Sequence, residues 1–154
     1  NNTDNSKDNH FFKLLMHVIL IVLCCILFIA LIIFGMIYQR KMRLKRQEQH
    51  LKGEPKEALL YALSRMDALC EAENLEKIST AADAAALQES FPTITQEKLM
   101  WLQDLLQELT FSNHAYGTEL RDETAQLYRD MASDATARQS RLKRMWYRYG
   151  RCFC

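Results

Sequence analysis

Glycine and proline are scarce, four and two in 154 residues, and from Leu14 to Tyr38 there is no Asp, Glu, Lys or Arg at all. Few chain breakers exclude a collagen-like chain, and 49% apolar residues exclude a disordered one. Five cysteines, two of them adjacent at Cys24 and Cys25 inside the apolar run, do not make the framework of a secreted disulfide miniprotein. The 116 residues after Tyr38 suffice for one small domain, which excludes a multidomain enzyme. Sustained β alternation bounded by turn residues is also missing, so the expected fold class is all-α.

The uncharged run of 25 residues is long enough to cross a hydrocarbon core about 30 Å thick. It is too long for a signal peptide and ends in a basic run, so it reads as an anchor, a transmembrane helix over 14–38. The chain begins with Asn1, which fits a processed or truncated product, and Asn1-Asn2-Thr3 fits a glycosylation acceptor. Arg40, Lys41, Arg43, Lys45 and Arg46 lie just beyond the span, whereas the 1–13 segment offers only Lys7 and Lys13 against Asp4 and Asp8. The excess of cations predicts a cytoplasmic C-terminal part and an external N-terminus, in the cell (inner) membrane. Tyr38 and Lys13 suit the two interfaces. His17, near the outer boundary, reads as an imidazole that meets water or headgroups rather than as a functional group.

A net charge of +1 hides strong segregation. Residues 39–52 carry six basic side chains and one acidic, residues 53–137 carry six and sixteen, and residues 138–154 carry six and none. The 39–52 segment reads as a helical extension of the span, broken by Gly53. Four amphipathic helices are then expected over 53–137, an acidic bundle. The first runs from Pro55 to Glu73, with Leu59, Leu63, Met66 and Cys70 inward. The second runs from Thr80 to Glu89 with an Ala-rich body. The third opens at the N-cap Thr95, with Ile94 and Leu99 at hydrophobic-staple spacing, and ends at Gly117. The fourth, capped by Thr118, buries Leu120, Thr124, Leu127 and Met131 and turns Arg121, Glu123 and Arg129 to water.

From Arg138 to Cys154 cations alternate with aromatic residues. On a regular helix Leu142, Met145, Trp146 and Tyr149 share one face, with Arg141, Lys143, Arg144 and Arg148 around the rest. This predicts an interfacial helix that meets anionic lipid or a partner protein. Acceptance by the acidic block, nucleic-acid contact and a solvated end are the other readings. Nucleic acid is disfavoured because no recognisable nucleic-acid module accompanies the tail. Cys152 and Cys154 lack a nearby histidine, so no metal is expected, and the C-terminus lacks a prenylation pattern.

No phosphate-binding loop, H-E-x-x-H, G-x-S-x-G or dinucleotide fingerprint occurs, and His50 and His114 have no carboxylate or cysteine at diagnostic spacing. Neither catalysis, a cofactor nor a small-molecule substrate is expected. The stretch from Glu57 to about Met131 resembles the helical cytoplasmic tails that follow the last membrane span in bacterial Bat-type (aerotolerance-associated) proteins and in transglutaminase-like membrane proteins. The corresponding parts are an Ala/Leu helix at Ala58 to Leu69, a short helix at Ser79 to Phe91, and a Leu-rich helix at Leu99 to Gly117. The resemblance covers about half the chain and implies an assembly subunit working beside von Willebrand-type and ATPase partners, with no catalytic residue. The reading is a single-pass subunit whose cytoplasmic helices bind other subunits of a membrane complex. The alternative is an accessory subunit of a membrane transporter or enzyme, held mainly through its span.

Overall fold

The computed structural model describes residues 4–112, 115–151 and 153, with side chains from residue 12 onward except at the positions it omits. His114, Cys152, Cys154 and the Asn1-Asn2-Thr3 triplet lie outside the described residues. Among the described residues six α-helices and one π-helical segment follow one another, and no strand occurs. The chain divides into two compact units, residues 1–39 and residues 40–154.

The first unit is the apolar part of α1 (Asp4–Leu51). It is long and apolar enough to cross a membrane, and none of its apolar window is buried. Lys13 and Tyr38 are exposed near its two ends. His17 sits 2.8 Å from the Lys13 carbonyl through Nδ1, so the ring donates one turn back along its own helix. That bond meets part of the polar requirement of the imidazole within the helix.

The second unit starts with the last turns of α1, which stops at Leu51 before Gly53, as the sequence predicts. Pro55 opens α2 (Pro55–Ala72) in the first turn, where its missing N–H has no intrahelical partner to lose. Ala58, Leu59, Ala62, Leu63, Met66, Leu69 and Cys70 recur every three or four residues and are all buried. The helix ends in a Schellman motif: the Leu75 N–H bonds the Cys70 carbonyl at 2.9 Å and the Asn74 N–H bonds the Glu71 carbonyl at 3.1 Å. Asn74, at φ 57°, takes the left-handed position usually given to glycine. Glu73 therefore sits at the cap itself.

The expected helix over Thr80–Glu89 is shortened to α3 (Ala85–Ser90). Side chains from other elements satisfy the preceding backbone instead. Asp67 accepts from the Ile78 N–H at 2.9 Å, Gln96 accepts from the Ala84 N–H at 2.8 Å, and the Gln103 amide donates to the carbonyls of Ile78 and Ala81 at 2.9 and 2.7 Å. With those groups paired elsewhere, Thr80 has no helix to cap. Helix α4 (Gln96–Phe111) opens as expected, Thr95 accepting from the Lys98 N–H at 3.3 Å over buried Ile94 and Leu99. It ends at Phe111, not at Gly117, because Ser112 is already extended. Gly117 is instead the N-cap of α5 (Thr118–Ala137), and Thr118 is its first helical residue.

Helix α5 buries Thr124, Ala125, Leu127, Tyr128, Met131, Ala132 and Ala135, and packs along α2. Leu120 is half-buried. Arg121 is corrected from the solvent face: its side chain is 17% exposed, pairs with Asp122, and donates to the carbonyls of Lys52 and Gly53 just past the end of α1. Met66 is fully buried between these elements. Met66→Ala is expected to cost about 2 to 5 kcal/mol through the lost side chain and the void left behind. Leu60→Ala, at a position 40% exposed, costs much less. Chemical denaturation of the two variants followed by circular dichroism checks the difference.

Candidate functional site

The C-terminal tail is not one regular helix. It forms α6 (Arg141–Met145), opened by Ser140 accepting from the Lys143 N–H, and then a π-helical segment (Trp146–Arg151). The i→i+5 pattern of a π-helix breaks the 3.6-residue phase on which the sequence reading relied. The single regular helix expected for the tail is thereby overturned. Leu142, Met145 and Trp146 are 81%, 56% and 48% exposed, while Tyr147 and Phe153 are buried in the core. Tyr149 is half-buried.

Glu73 holds the tail at the C-terminal end of α2. Its carboxylate accepts from the Gln139 amide at 2.9 Å, from the Lys143 ammonium at 3.3 Å, and from the Tyr147 hydroxyl. The Tyr147 oxygen also lies 3.3 Å from the Ala72 carbonyl. Lys143 therefore places a cation beside a helix C-terminus, where the backbone dipole favours it. Further along, Arg65 stacks over Phe153 with 4.7 Å to the centroid and donates to the Arg151 carbonyl at 3.1 Å. The buried Tyr128 hydroxyl accepts from Gln47 of α1 at 2.6 Å and donates to the Phe153 carbonyl at 3.2 Å. One phenol thus ties α1, α5 and the chain end together.

The cations that follow the apolar run divide into two groups. Arg40 lies over the Tyr149 ring at 5.3 Å, and Arg43 donates to the Gly150 carbonyl at 3.3 Å. Lys41, Lys45 and Arg46 are exposed. In the tail, Arg144 donates to the carbonyls of Thr136, Ala137 and Gln139 and so closes the end of α5. Arg141 and Arg148 are exposed. Arg151 lies 5.1 Å from the Trp146 ring, and a Cβ on Gly150 would stand 3.2 Å from the same indole. Gly150 is therefore the residue that lets Trp146 fold back against the backbone.

A separate groove of about 680 Å³ runs between α4 and α5. Trp101 and Leu127 form its apolar floor, and Glu97, Glu123 and Asp130 outnumber Lys98 at its rim. No group of three or more His, Cys, Asp or Glu residues arranged to hold a metal occurs among the described residues. His50 stacks on Tyr61 at 5.0 Å between ring centroids.

Both features belong to an all-helical unit that follows a helix apolar enough to cross a membrane. Compared with known proteins, the chain matches no family model, no curated protein and no solved structure.

Burial pushes the Cys70 thiol up to about 12, and the nearby Asp67 carboxylate pushes the same way. Burial also raises Tyr128, and burial followed by the hydrogen bond to Glu73 raises Tyr147. These groups stay neutral when folded but ionise at ordinary values of 9.0 and 10.0 when unfolded. The unfolded chain then loses protons first, so stability falls as pH rises. The melting temperature is expected to decline above pH 9, and Cys70→Ala should flatten the portion of that decline below pH 10. Glu73→Gln removes the ion pair with Lys143 and turns one acceptor into a donor. A loss of about 1 to 3 kcal/mol at this site raises tail opening roughly 5- to 150-fold. Tryptic cleavage after Arg141 and Arg144, followed by mass spectrometry under native conditions, reads that increase.

Proposed function

We propose that the protein is a single-pass membrane-anchored assembly subunit, N-terminus outside, whose cytoplasmic helices hold another protein subunit of a membrane complex. The observation that carries this reading is the α4–α5 groove. Its floor of Trp101 and Leu127 is apolar, and its rim carries Glu97, Glu123 and Asp130. A large aromatic side chain in an open groove is the usual anchor of a protein contact. An acidic rim selects by charge. The fitting occupant is a partner helix with an apolar anchor flanked by Lys or Arg.

The membrane part of the reading is supported by the long apolar helix and by the cations from Arg40 to Arg46 that follow it. The resemblance to Bat-type tails points to the same class of role. A second reading, an accessory subunit gripped through its span, draws on the exposure of every side chain from Phe12 to Phe34. That surface can be covered by lipid or by neighbouring helices.

Photocrosslinking separates the two. A crosslinker placed at Gln126 in the groove, in the full chain at native expression, is expected to trap one discrete membrane-complex subunit. Glu123→Lys with Asp130→Lys should abolish that adduct while leaving the chain in the membrane fraction. Adducts only from positions within the span favour the accessory reading, and absence of any adduct overturns both.

A further inference from the structure

We infer that the exposed edge of the tail, Leu142, Met145 and Trp146 with Arg141 and Arg148, is a second membrane contact that lies on an anionic lipid leaflet. The inference rests on the membrane reading above and concerns a different surface from the protein groove.

Four observations carry it. First, the tail is anchored to the body by Tyr147 and Phe153, which leaves three large apolar side chains outward on the same short stretch. Second, the outward arginines have no acidic neighbour within residues 138–154, since that segment contains none. Third, the indole of Trp146 is held in place: Gly150 gives it room and Arg151 lies over its ring at 5.1 Å. An amphipathic ring fixed beside cations suits the headgroup layer. Fourth, the tail is joined to the start of its own unit. Tyr149 meets Arg40 and Gly150 meets Arg43, and Arg40 is two residues beyond Tyr38, where the apolar run ends. The tail's partners thus include cations that directly follow the apolar run in the sequence, and cations at that place meet an anionic leaflet when the run is a span.

Apolar side chains entering the interface and cations meeting lipid phosphates act together. Each cation contributes roughly a fivefold gain in occupancy of the surface. Reversing Arg141 and Arg148 should therefore reduce contact by far more than the loss of one charge.

The test uses the full chain carrying Trp101→Phe, so that Trp146 is the single tryptophan, in nanodiscs of phosphatidylcholine alone or mixed with phosphatidylserine. With phosphatidylserine, Trp146 emission is expected to shift to the blue and to be quenched by lipids brominated near the acyl carbonyl more than by those brominated near the chain end. Arg141→Glu with Arg148→Glu should remove the shift. Leu142→Ser with Met145→Ser is the second variant, and unchanged circular dichroism shows that each still folds. Quenching equal in the two lipid mixtures overturns the anionic preference. Chains retained in the nanodisc with Trp146 unquenched overturn this inference and leave the anchor standing. Loss of the chain from the nanodisc on gel filtration removes the anchor and this inference together. Blue-shifted emission that depends on protein concentration and not on lipid assigns the edge to a second copy of the chain and overturns the lipid contact.

Discussion

The pairing of α2 with α5 is the contact on which the other elements depend. Both helices alternate bulky and small buried residues: Leu59, Met66 and Leu69 with Ala58 and Ala62 on α2, and Leu127, Tyr128 and Met131 with Ala125, Ala132 and Ala135 on α5. Small residues let the backbones approach while the larger ones fill the spaces between them. Once this pair is set, each of its ends acquires a polar task. At the start of α5, Arg121 closes the carbonyls past α1. In its middle, Tyr128 joins Gln47 to Phe153. At the end of α2, Glu73 receives the tail.

Much of this was legible in the sequence wherever a signal was local. The end of α1 before Gly53, the opening of α2 at Pro55, the N-cap at Thr95 and the inward stripes of α2 and α5 follow from neighbouring residues. What escaped was decided by partners distant in the chain. The segment before α3 looks helical because it is rich in alanine, yet Asp67, Gln96 and Gln103 offer its backbone better-placed bonds. Asn74 is an inconspicuous residue that nonetheless terminates α2, and only its left-handed backbone reveals why. Gly117 was read as the end of one helix and is the start of the next.

The tail was the least legible part of the candidate site. Its composition identified a basic aromatic segment, but a regular helical wheel grouped Tyr149 with Leu142, Met145 and Trp146 on one interfacial face and gave no inward place to Tyr147 and Phe153, which are buried. A π-helical stretch changes the angle between successive side chains, so a wheel drawn at 3.6 residues per turn goes out of phase within one turn. Gly150 was the available hint, since a residue without Cβ permits a ring to lie against the backbone.

The way the tail is held also bears on where its charge is spent. A strongly basic segment beside an acidic block invites the idea that ion pairs fasten the two. Lys143 and Glu73 do form such a pair, but the other cations at this junction act differently. Arg144 meets helix-end carbonyls, Arg151 lies over an indole, and Arg65 and Arg40 lie over the rings of Phe153 and Tyr149. Burial of Tyr147 and Phe153 supplies the apolar attraction, which salt does not screen. A tail attached through rings, carbonyls and buried aromatics keeps its body partners without neutralising Arg141 and Arg148 against the acidic block. The same attachment leaves Glu97, Glu123 and Asp130 around their own groove. The opposite charges of the chain are thus kept apart by the manner of attachment, and each remains available for a different neighbour.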